Sequence, residues 1–263
     1  MSRPLALITG ASGGIGEALA HAFARGGYDV ALAARSEAKL AAVAEAVRRH
    51  GVVAHPLATD LLQPGAGAEL EARVSELGLQ VDALVNNAGY GLAGAVLGQD
   101  VEDQLAMVDL NCRVLTELSW RFGQTMKTNG RGGILNVAST AAFQPGPFMA
   151  VYYASKAYVL SFTEALNHEL RGTGVNATAL CPGPVATGFQ SRAGFDESMA
   201  LLKVAPVMSA DAVAQAGFEG LQRRRPVVIP GAANAMMARS AAFTPRGVLL
   251  RVVEGLQKKK GAA

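Results

Sequence analysis

A glycine-rich turn close to the start of the chain constrains the fold more than any other feature of the sequence. Residues 9–16 read TGASGGIG and join an apolar run, Leu5–Thr9, to a helical segment, Gly14–Arg25. Such a turn lets a backbone bend tightly, approach a pyrophosphate and pack its helix on the strand, while the helix N-terminus offers free N–H groups. Its place at the first strand-to-helix junction favours dinucleotide binding over a plain turn. The residues predicted to contact the dinucleotide here are Gly10, Ser12, Gly13, Gly14, Ile15 and Gly16.

The next 170 or so residues alternate short apolar runs with amphipathic helical stretches. Beyond the first run, strands are predicted at residues 30–34, 52–57, 83–85, 134–137, 177–180 and 227–230. This βαβα alternation predicts an α/β fold, a single Rossmann-type, doubly wound parallel sheet of about seven strands with helices on both faces. We predict one domain over residues 1–263, with a substrate lid at about 190–208 and a short helical C-terminal extension at about 232–263.

The composition excludes several other classes of protein. Half of the 263 residues are hydrophobic and 17% are charged, which is too apolar for a disordered chain. The net charge is only +3, and the basic runs at residues 223–225 and 258–260 lack interleaved aromatic residues. We therefore interpret them as solvated helix and chain ends and predict no nucleic-acid partner.

Location and metal content follow from further absences in the sequence. Two cysteines suit a reducing compartment, and no signal-peptide pattern precedes the first strand. The uncharged stretch 172–191 contains prolines and glycines, which argues against a membrane span. The four histidines have no ligand spacing between them, so no metal site is predicted. We expect a cytoplasmic protein.

The residues after the second strand indicate which dinucleotide binds. An acidic residue about 20 positions beyond the glycine loop usually meets the ribose 2′-hydroxyl of NAD. Here residues 33–36 read AARS, with no acid between Asp29 and Glu37. Arg35 is suited to a 2′-phosphate, and Ser36 either adds a hydrogen bond or caps the next helix. The pattern favours NADP(H).

Further motifs occur in a specific order. They are the glycine loop, Asn86-Asn87-Ala88-Gly89, Ser139, Tyr152-x-x-x-Lys156, and Pro182-Gly183 followed by Thr187. Together they cover most of residues 5–190 and resemble the short form of the short-chain dehydrogenase/reductase family. The resemblance implies four catalytic residues: Tyr152, Lys156, Ser139 and Asn111. It also implies cofactor contacts at Asp60, Leu61, Asn87, Ala88, Gly89, Tyr152, Lys156, Pro182, Gly183, Val185 and Thr187.

Elementary chemistry supports the catalytic roles that the resemblance implies. Tyr152 and Lys156 are four residues apart on a helix and share a face, so the ammonium is expected to lower the phenol pKa. Tyr153 lies about 100° further round the helix and only three residues from Lys156, so the spacing of the family motif selects Tyr152 over Tyr153. Ser139 follows a strand and is placed to polarise a carbonyl, with Thr140 as the competing candidate.

Alternatives remain open for three of these motifs. Asn111 either supports a water path towards the lysine, as the resemblance implies, or packs locally. Asp60 either meets the adenine or caps a turn. Residues 182–187 either surround the nicotinamide or form a plain proline-rich turn.

The motifs favour an oxidoreductase that moves a hydride between NADP(H) and a carbonyl or secondary alcohol. We expect the reaction to be the reduction of an apolar ketone or aldehyde. The alternative is a 3-oxoacyl thioester reductase, and a third possibility is an NADP(H)-sensing module without turnover. Side chains expected to wall the substrate are Tyr90, Leu92, Phe143, Phe148, Met149 and Phe189, with Met236 and Met237 closing one side.

Assembly is the last expectation. Two helical segments, at residues 103–125 and 151–171, resemble those that pair across subunits in the family. The apolar stripe Leu110, Val114, Leu118 and Phe122 either continues such an interface or packs on the sheet. We expect a homodimer or homotetramer.

Overall fold

The computed structural model of this protein describes residues 3–187 and 207–257. Its sheet has seven parallel strands in the order β3-β2-β1-β4-β5-β6-β7. The strands are β1 (Leu5–Thr9), β2 (Asp29–Ala34), β3 (Ala54–Ala58), β4 (Val81–Asn86), β5 (Gly132–Val137), β6 (Val175–Leu180) and β7 (Val227–Val228). The predicted Rossmann-type sheet is confirmed, although β3 begins two residues later than predicted and β7 is shorter.

Helices cover both faces of this sheet. Those described are α1 (Gly14–Arg25), α2 (Glu37–Arg48), α3 (Ala66–Glu76), α4 (Val101–Val108), α5 (Leu115–Thr128), α6 (Ala150–Glu169), α7 (Ala210–Gln222), α8 (Ala232–Ser240) and α9 (Arg246–Gln257). One π-helical segment, Asp109–Val114, joins α4 to α5 without a break. The helices α8 and α9 occupy the region predicted as a C-terminal extension.

Alternate residues of each strand enter two separate apolar layers. Ile8 packs with α1, α2 and α7, whereas Leu7 packs on the opposite face with α3 and α5. Both side chains are fully buried, as expected for strands covered on both faces. Each such side chain contributes roughly 1.5–3 kcal/mol to folding.

The fold corrects one interpretation of the sequence. Val114, Leu118 and Phe122 are buried in the layer between α5 and the sheet, with Leu110 packed against it. The stripe therefore packs within the subunit and is not a free interface, because α5 needs one apolar face for the sheet. No helix within residues 3–187 or 207–257 is long and apolar enough to cross a membrane.

The strand order creates one crevice. From β1 the chain moves outwards to β2 and β3, then returns to place β4 on the other side of β1. Loops leaving the carboxyl ends of β1 and β4 therefore diverge to opposite faces, and such a switch point is where open parallel sheets bind ligands.

Candidate active site

A cavity of about 1090 Å³ lies at the carboxyl ends of the strands. Residues that follow β1, β2, β3, β4, β5 and β6 all contribute to its lining. Every residue predicted to contact the cofactor lies on this lining: Gly10, Ser12, Gly13, Gly14, Ile15, Gly16, Arg35, Ser36, Asp60, Leu61, Asn87, Ala88, Gly89, Tyr152, Lys156, Pro182, Gly183, Val185 and Thr187. The structure thus brings together residues separated by up to 177 positions.

The glycine loop has no room for side chains at two of its positions. Gly10 has a φ of 66°, in the left-handed region that favours glycine. At Gly16 an added Cβ would lie 2.2 Å from the carbonyl oxygen of Gly10, so only glycine lets α1 start this close to β1. The N-terminus of α1 consequently opens directly onto the cavity.

A buried threonine connects the loop to the end of β4. The Thr9 hydroxyl accepts hydrogen bonds from the backbone N–H groups of Asn87 and Ala88, each at 3.0 Å. The Asn87 side-chain amide donates to the Thr9 carbonyl at 2.9 Å. These bonds hold the floor of the cavity in one arrangement.

Cationic and hydroxyl side chains collect beyond the end of β2. Arg35 and Ser36 line the cavity together with Lys39, which sequence reasoning missed. The Ser36 side chain makes no helix-capping hydrogen bond with the described residues, so the capping role considered for it is not found. Lys39 was identifiable from its position, since it lies in the first turn of α2, directly after the segment that carries Arg35 and Ser36.

Asp60 lies across this part of the cavity. Its carboxylate accepts a hydrogen bond from the Leu62 backbone N–H at 3.2 Å while the residue also lines the cavity. Asp60 therefore closes a turn and also faces the cavity, and its contact with an adenine stays a prediction.

The catalytic candidates converge on the other half of the cavity. The Ser139 hydroxyl hydrogen-bonds to the phenol of Tyr152, and the Lys156 ammonium lies 5.8 Å from the centroid of the same ring. Lys156 is buried and donates to the Val137 carbonyl at 2.8 Å. Thr140 also lines the cavity, but the structure gives the contact with the phenol to Ser139.

Burial dominates the protonation of these groups. Desolvation raises the pKa of Tyr152 to about 12, although the Ser139 hydrogen bond opposes the shift. Desolvation likewise lowers the pKa of Lys156 to about 8. The lowered pKa predicted for the phenol is therefore wrong for this structure, because loss of water around the phenolate raises that pKa instead. A raised pKa keeps the Tyr152 phenol protonated at neutral pH.

Asn111 is buried next to the site and holds two of its segments together. It sits in the π-helical segment, is 1% exposed and lies outside the cavity lining. Its amide donates to the Tyr90 carbonyl and to the Ser155 hydroxyl, both at 3.0 Å, and accepts from the Tyr90 N–H at 3.2 Å. Since Ser155 precedes Lys156, Asn111 ties the loop after β4 to the lysine's helix.

The substrate side of the cavity differs from the prediction. Tyr90 and Met149 line it, whereas Leu92, Phe143 and Phe148 are absent from the lining formed by the described residues. Phe143 instead faces a second cavity of about 540 Å³ with Phe243 and Leu249. Phe189 and nearly all of the proposed lid at 190–208 lie outside the described residues.

The C-terminal helices also depart from expectation. Met236 and Met237 are 70% and 43% exposed and do not line the cavity. The residues that close this side are Tyr153 and Gln257, with Gln144 beside them. Reasoning from the sequence set Tyr153 aside, and no signal in the sequence linked Gln257 to the site.

The site fits a nicotinamide dinucleotide. The floor is glycine backbone, and an added Cβ at Gly14 would lie 3.3 Å from the Thr187 side chain, so the loops after β1 and β6 close on each other. The cavity has the size of a cofactor site, and a helix N-terminus opens onto it.

The fold and this cavity define a Rossmann-type oxidoreductase. Within that class, the chain belongs to the short-chain dehydrogenase family. The model of this family, described as "short chain dehydrogenase", matches residues 4–197.

Curated relatives share this region to different extents. The probable oxidoreductase EphD of Mycobacterium tuberculosis is 31% identical over 241 residues, which are 85% of this chain. The chain spans only about 40% of the length of that relative. A putative ketoacyl reductase of monensin polyketide synthesis from Streptomyces virginiae is 39% identical over 194 residues, 72% of this chain and 73% of the relative.

Solved structures of similar proteins cover the chain more fully. A Sphingobium yanoikuyae short-chain dehydrogenase in complex with NADPH has a TM-score of 0.79 and 33% identity, covering 99% of this chain and 98% of its own. A Burkholderia phymatum relative in complex with NAD also reaches 0.79, with 29% identity and coverages of 90% and 92%. The bulky-bulky ketone specific alcohol dehydrogenase of Comamonas testosteroni reaches 0.76, with 29% identity and coverages of 99% and 96%.

Proposed function

We propose that this protein is an NADP(H)-dependent reductase of apolar ketones or aldehydes. The observation that carries the proposal is the Tyr152 phenol, hydrogen-bonded to Ser139 and with the Lys156 ammonium 5.8 Å from its ring centroid, on the lining of a glycine-floored cavity. A proton donor beside a second hydroxyl suits the oxygen of a carbonyl group, which becomes an alkoxide as it is reduced.

Each polar residue of the site has a distinct task in this proposal. Bound cofactor supplies the hydride chemistry. Ser139 orients the carbonyl oxygen, and Tyr152 donates its proton to that oxygen. Lys156 keeps a positive charge beside the phenol, which favours the phenolate left behind. Asn111 positions Lys156 by way of Ser155 and does not itself meet the substrate.

The preference for NADP(H) over NAD(H) rests on the end of β2. Arg35 and Lys39 offer two cations and Ser36 a hydroxyl, all facing the cavity. A 2′-phosphate is dianionic at neutral pH and gains charge-assisted hydrogen bonds from such groups. Similar structures hold either cofactor, NADPH in one and NAD in another, so the proposal depends on these side chains.

The substrate class follows from the part of the lining beyond the catalytic residues. Ala141 and Met149, which cluster with Tyr152 and Tyr153, contribute apolar surface there. The Comamonas neighbour is named for bulky ketones, which fits such a surface. A relative named a ketoacyl reductase makes 3-oxoacyl thioesters the second candidate class.

We also propose a homodimer or homotetramer. Besides the buried stripe, α4–α6 carry exposed apolar side chains: Leu105, Val108, Trp120 and Tyr158. Exposed apolar side chains on these three helices supply surface that a contact between subunits would bury.

A substrate screen tests the proposal. NADPH oxidation would be followed with ketones of rising chain length, aldehydes, 3-oxoacyl thioesters and steroids, with NADH in parallel. We expect kcat/KM to rise with apolar size, since each buried methylene adds up to about 0.8 kcal/mol. Strong preference for a charged, sugar-like carbonyl would contradict the apolar class. Turnover confined to 3-oxoacyl thioesters would select the second candidate, and binding without turnover would indicate a sensing module.

A further inference from the structure

The last helix of the described chain inserts a polar side chain into the wall of the cavity. Leu249, Val253 and Gln257 recur every four residues on α9 and form its buried face. Val253 packs against Ala141, Met149 and Tyr153, next to the catalytic tyrosine. Gln257 follows one turn later, is 1% exposed and contributes to the lining of the cavity.

Only one of the two polar atoms of the Gln257 amide has a hydrogen-bond partner among the described residues. Its Nε2 donates to the Tyr153 hydroxyl at 2.6 Å. Its Oε1 is buried and has no hydrogen-bond partner among the residues that the structure describes. A buried acceptor without a partner is unfavourable, so native proteins leave one only where something else satisfies it.

The surroundings restrict what that partner is. The Tyr153 hydroxyl hydrogen-bonds with both Gln257 and Gln144, which fixes the amide beside the phenol. An added Cβ at Gly146 would lie 2.2 Å from the Tyr153 ring, so only glycine at residue 146 accommodates the ring in this position. Around this cluster the wall is apolar, with Met149, Ala141 and Val253.

The ring of Tyr153 is also close to the chemistry. Its centroid lies 6.1 Å from that of Tyr152, with the two rings nearly perpendicular. The Gln257 amide, which is bonded to the Tyr153 hydroxyl, is therefore one side chain away from the Tyr152 phenol.

We propose that Gln257 is a specificity-determining residue whose Oε1 accepts a hydrogen bond from a hydroxyl or N–H group on the substrate. This inference rests on the proposed carbonyl reduction and sharpens it: the preferred compound is an apolar ketone or aldehyde with a second, hydrogen-donating group. Substrates with the donor gain a hydrogen bond that other substrates cannot make, so the cavity favours them.

Phenyl ketones offer a direct test. For each ring position, three compounds would be compared that carry a hydroxyl, a methoxyl or a hydrogen; hydroxyl donates and methoxyl does not. With the unmodified protein we expect, at one ring position, a kcat/KM about tenfold higher for the hydroxyl compound than for either partner. The gain is expected in KM more than in kcat, because Gln257 lies away from the reacting carbonyl.

Variants then assign the preference to this amide. Gln257→Met keeps the length of the side chain and should abolish the hydroxyl preference, whereas Gln257→Glu keeps an acceptor and should retain it. Gln215→Met makes the same change on an exposed face of α7 and serves as the control. A purely structural role for Gln257 would instead lower kcat/KM for all three compounds by the same factor.

The outcomes separate the two proposals. Equal kcat/KM for the three compounds at every ring position would overturn the role of Gln257 while leaving carbonyl reduction intact. A hydroxyl preference that survives in Gln257→Met would do the same. No NADPH oxidation with any compound would overturn both.

Discussion

The cavity has a cofactor half, lined by the residues predicted to bind the dinucleotide, and a substrate half, lined by the residues around Tyr153 and Met149. The sequence predicted the residues of the cofactor half much better than those of the substrate half. On the cofactor half, every predicted residue lies on the lining, from Gly10 to Thr187. On the substrate half, only Tyr90 and Met149 of the described candidates do so. One half is built from backbone and short side chains directly after strands, and the other from side chains that arrive from distant segments.

This difference shows which kind of site a pattern specifies. Parallel strands bring their carboxyl ends together whatever the helices between them contain, so residues at those ends meet by topology alone. The residues that line the substrate half depend instead on where a helix later in the chain, α9, packs against the rest of the fold. Gln257 reaches Tyr153 across 104 residues, and that contact depends on the packing of α9.

The first prediction, with the largest expected effect, is that the adjacent residues Tyr152 and Tyr153 have different tasks. Tyr152→Phe removes the proton donor and should lower kcat by about 100- to 10,000-fold without preventing NADPH binding. Tyr153→Phe, the matched control, removes only the hydrogen bonds to Gln257 and Gln144 and should cost under about tenfold. Steady-state kinetics and NADPH fluorescence would measure both. The opposite ranking would exchange the two assignments.

The second prediction concerns the pKa of Lys156, which burial lowers to about 8. Its ammonium is present below that pH and is lost above it. The kcat/KM for NADPH, which reports the free protein, should therefore fall about tenfold per pH unit beyond pH 8, or about 100-fold by pH 10. Lys127→Met, at an exposed end of α5, should keep this limb, and Lys156→Met should remove it. A flat profile to pH 10 would argue against the lysine's role.

The third prediction tests the cofactor half. Arg35→Asp removes one phosphate partner and adds a repelling charge, so the ratio of kcat/KM for NADPH over NADH should fall by roughly 10- to 100-fold. Arg49→Asp changes the same charge at the far end of α2 and should leave the ratio unchanged. Equal use of both cofactors by the unmodified protein would remove the basis for this preference.

The smallest catalytic effect is expected for the outer face of α4–α5. Leu105→Glu combined with Trp120→Glu should dissociate the oligomer, because both side chains are more than half exposed and apolar. Neither lines the cavity, so kcat should change little at protein concentrations where the variant is folded. Leu77→Glu places the same charge on a different exposed leucine as a control. Light scattering that finds only monomer for the unmodified protein at micromolar concentration would contradict the assembly.

Local rules of the sequence determined the sheet and the cofactor half. The alternation of apolar strands and amphipathic helices specified a parallel sheet, and glycine at residues 10 and 16 specified the turn that opens onto phosphates. Tyr152 and Lys156 share a helix face by their spacing alone. These features depend on neighbours within a few residues, or on the way parallel strands align, and both are readable from a single sequence.

Only the tertiary structure decided the pKa of the Tyr152 phenol and which side chains line the substrate half of the cavity. The spacing of Tyr152 and Lys156 suggested a lowered phenol pKa, but burial by elements from the whole chain raises it to about 12. The stripe on α5 was compatible with an interface or a core until its packing on the sheet settled which. Gln257 became part of the site only when α9 docked, because desolvation and long-range packing depend on the whole three-dimensional arrangement and have no local signature in the sequence.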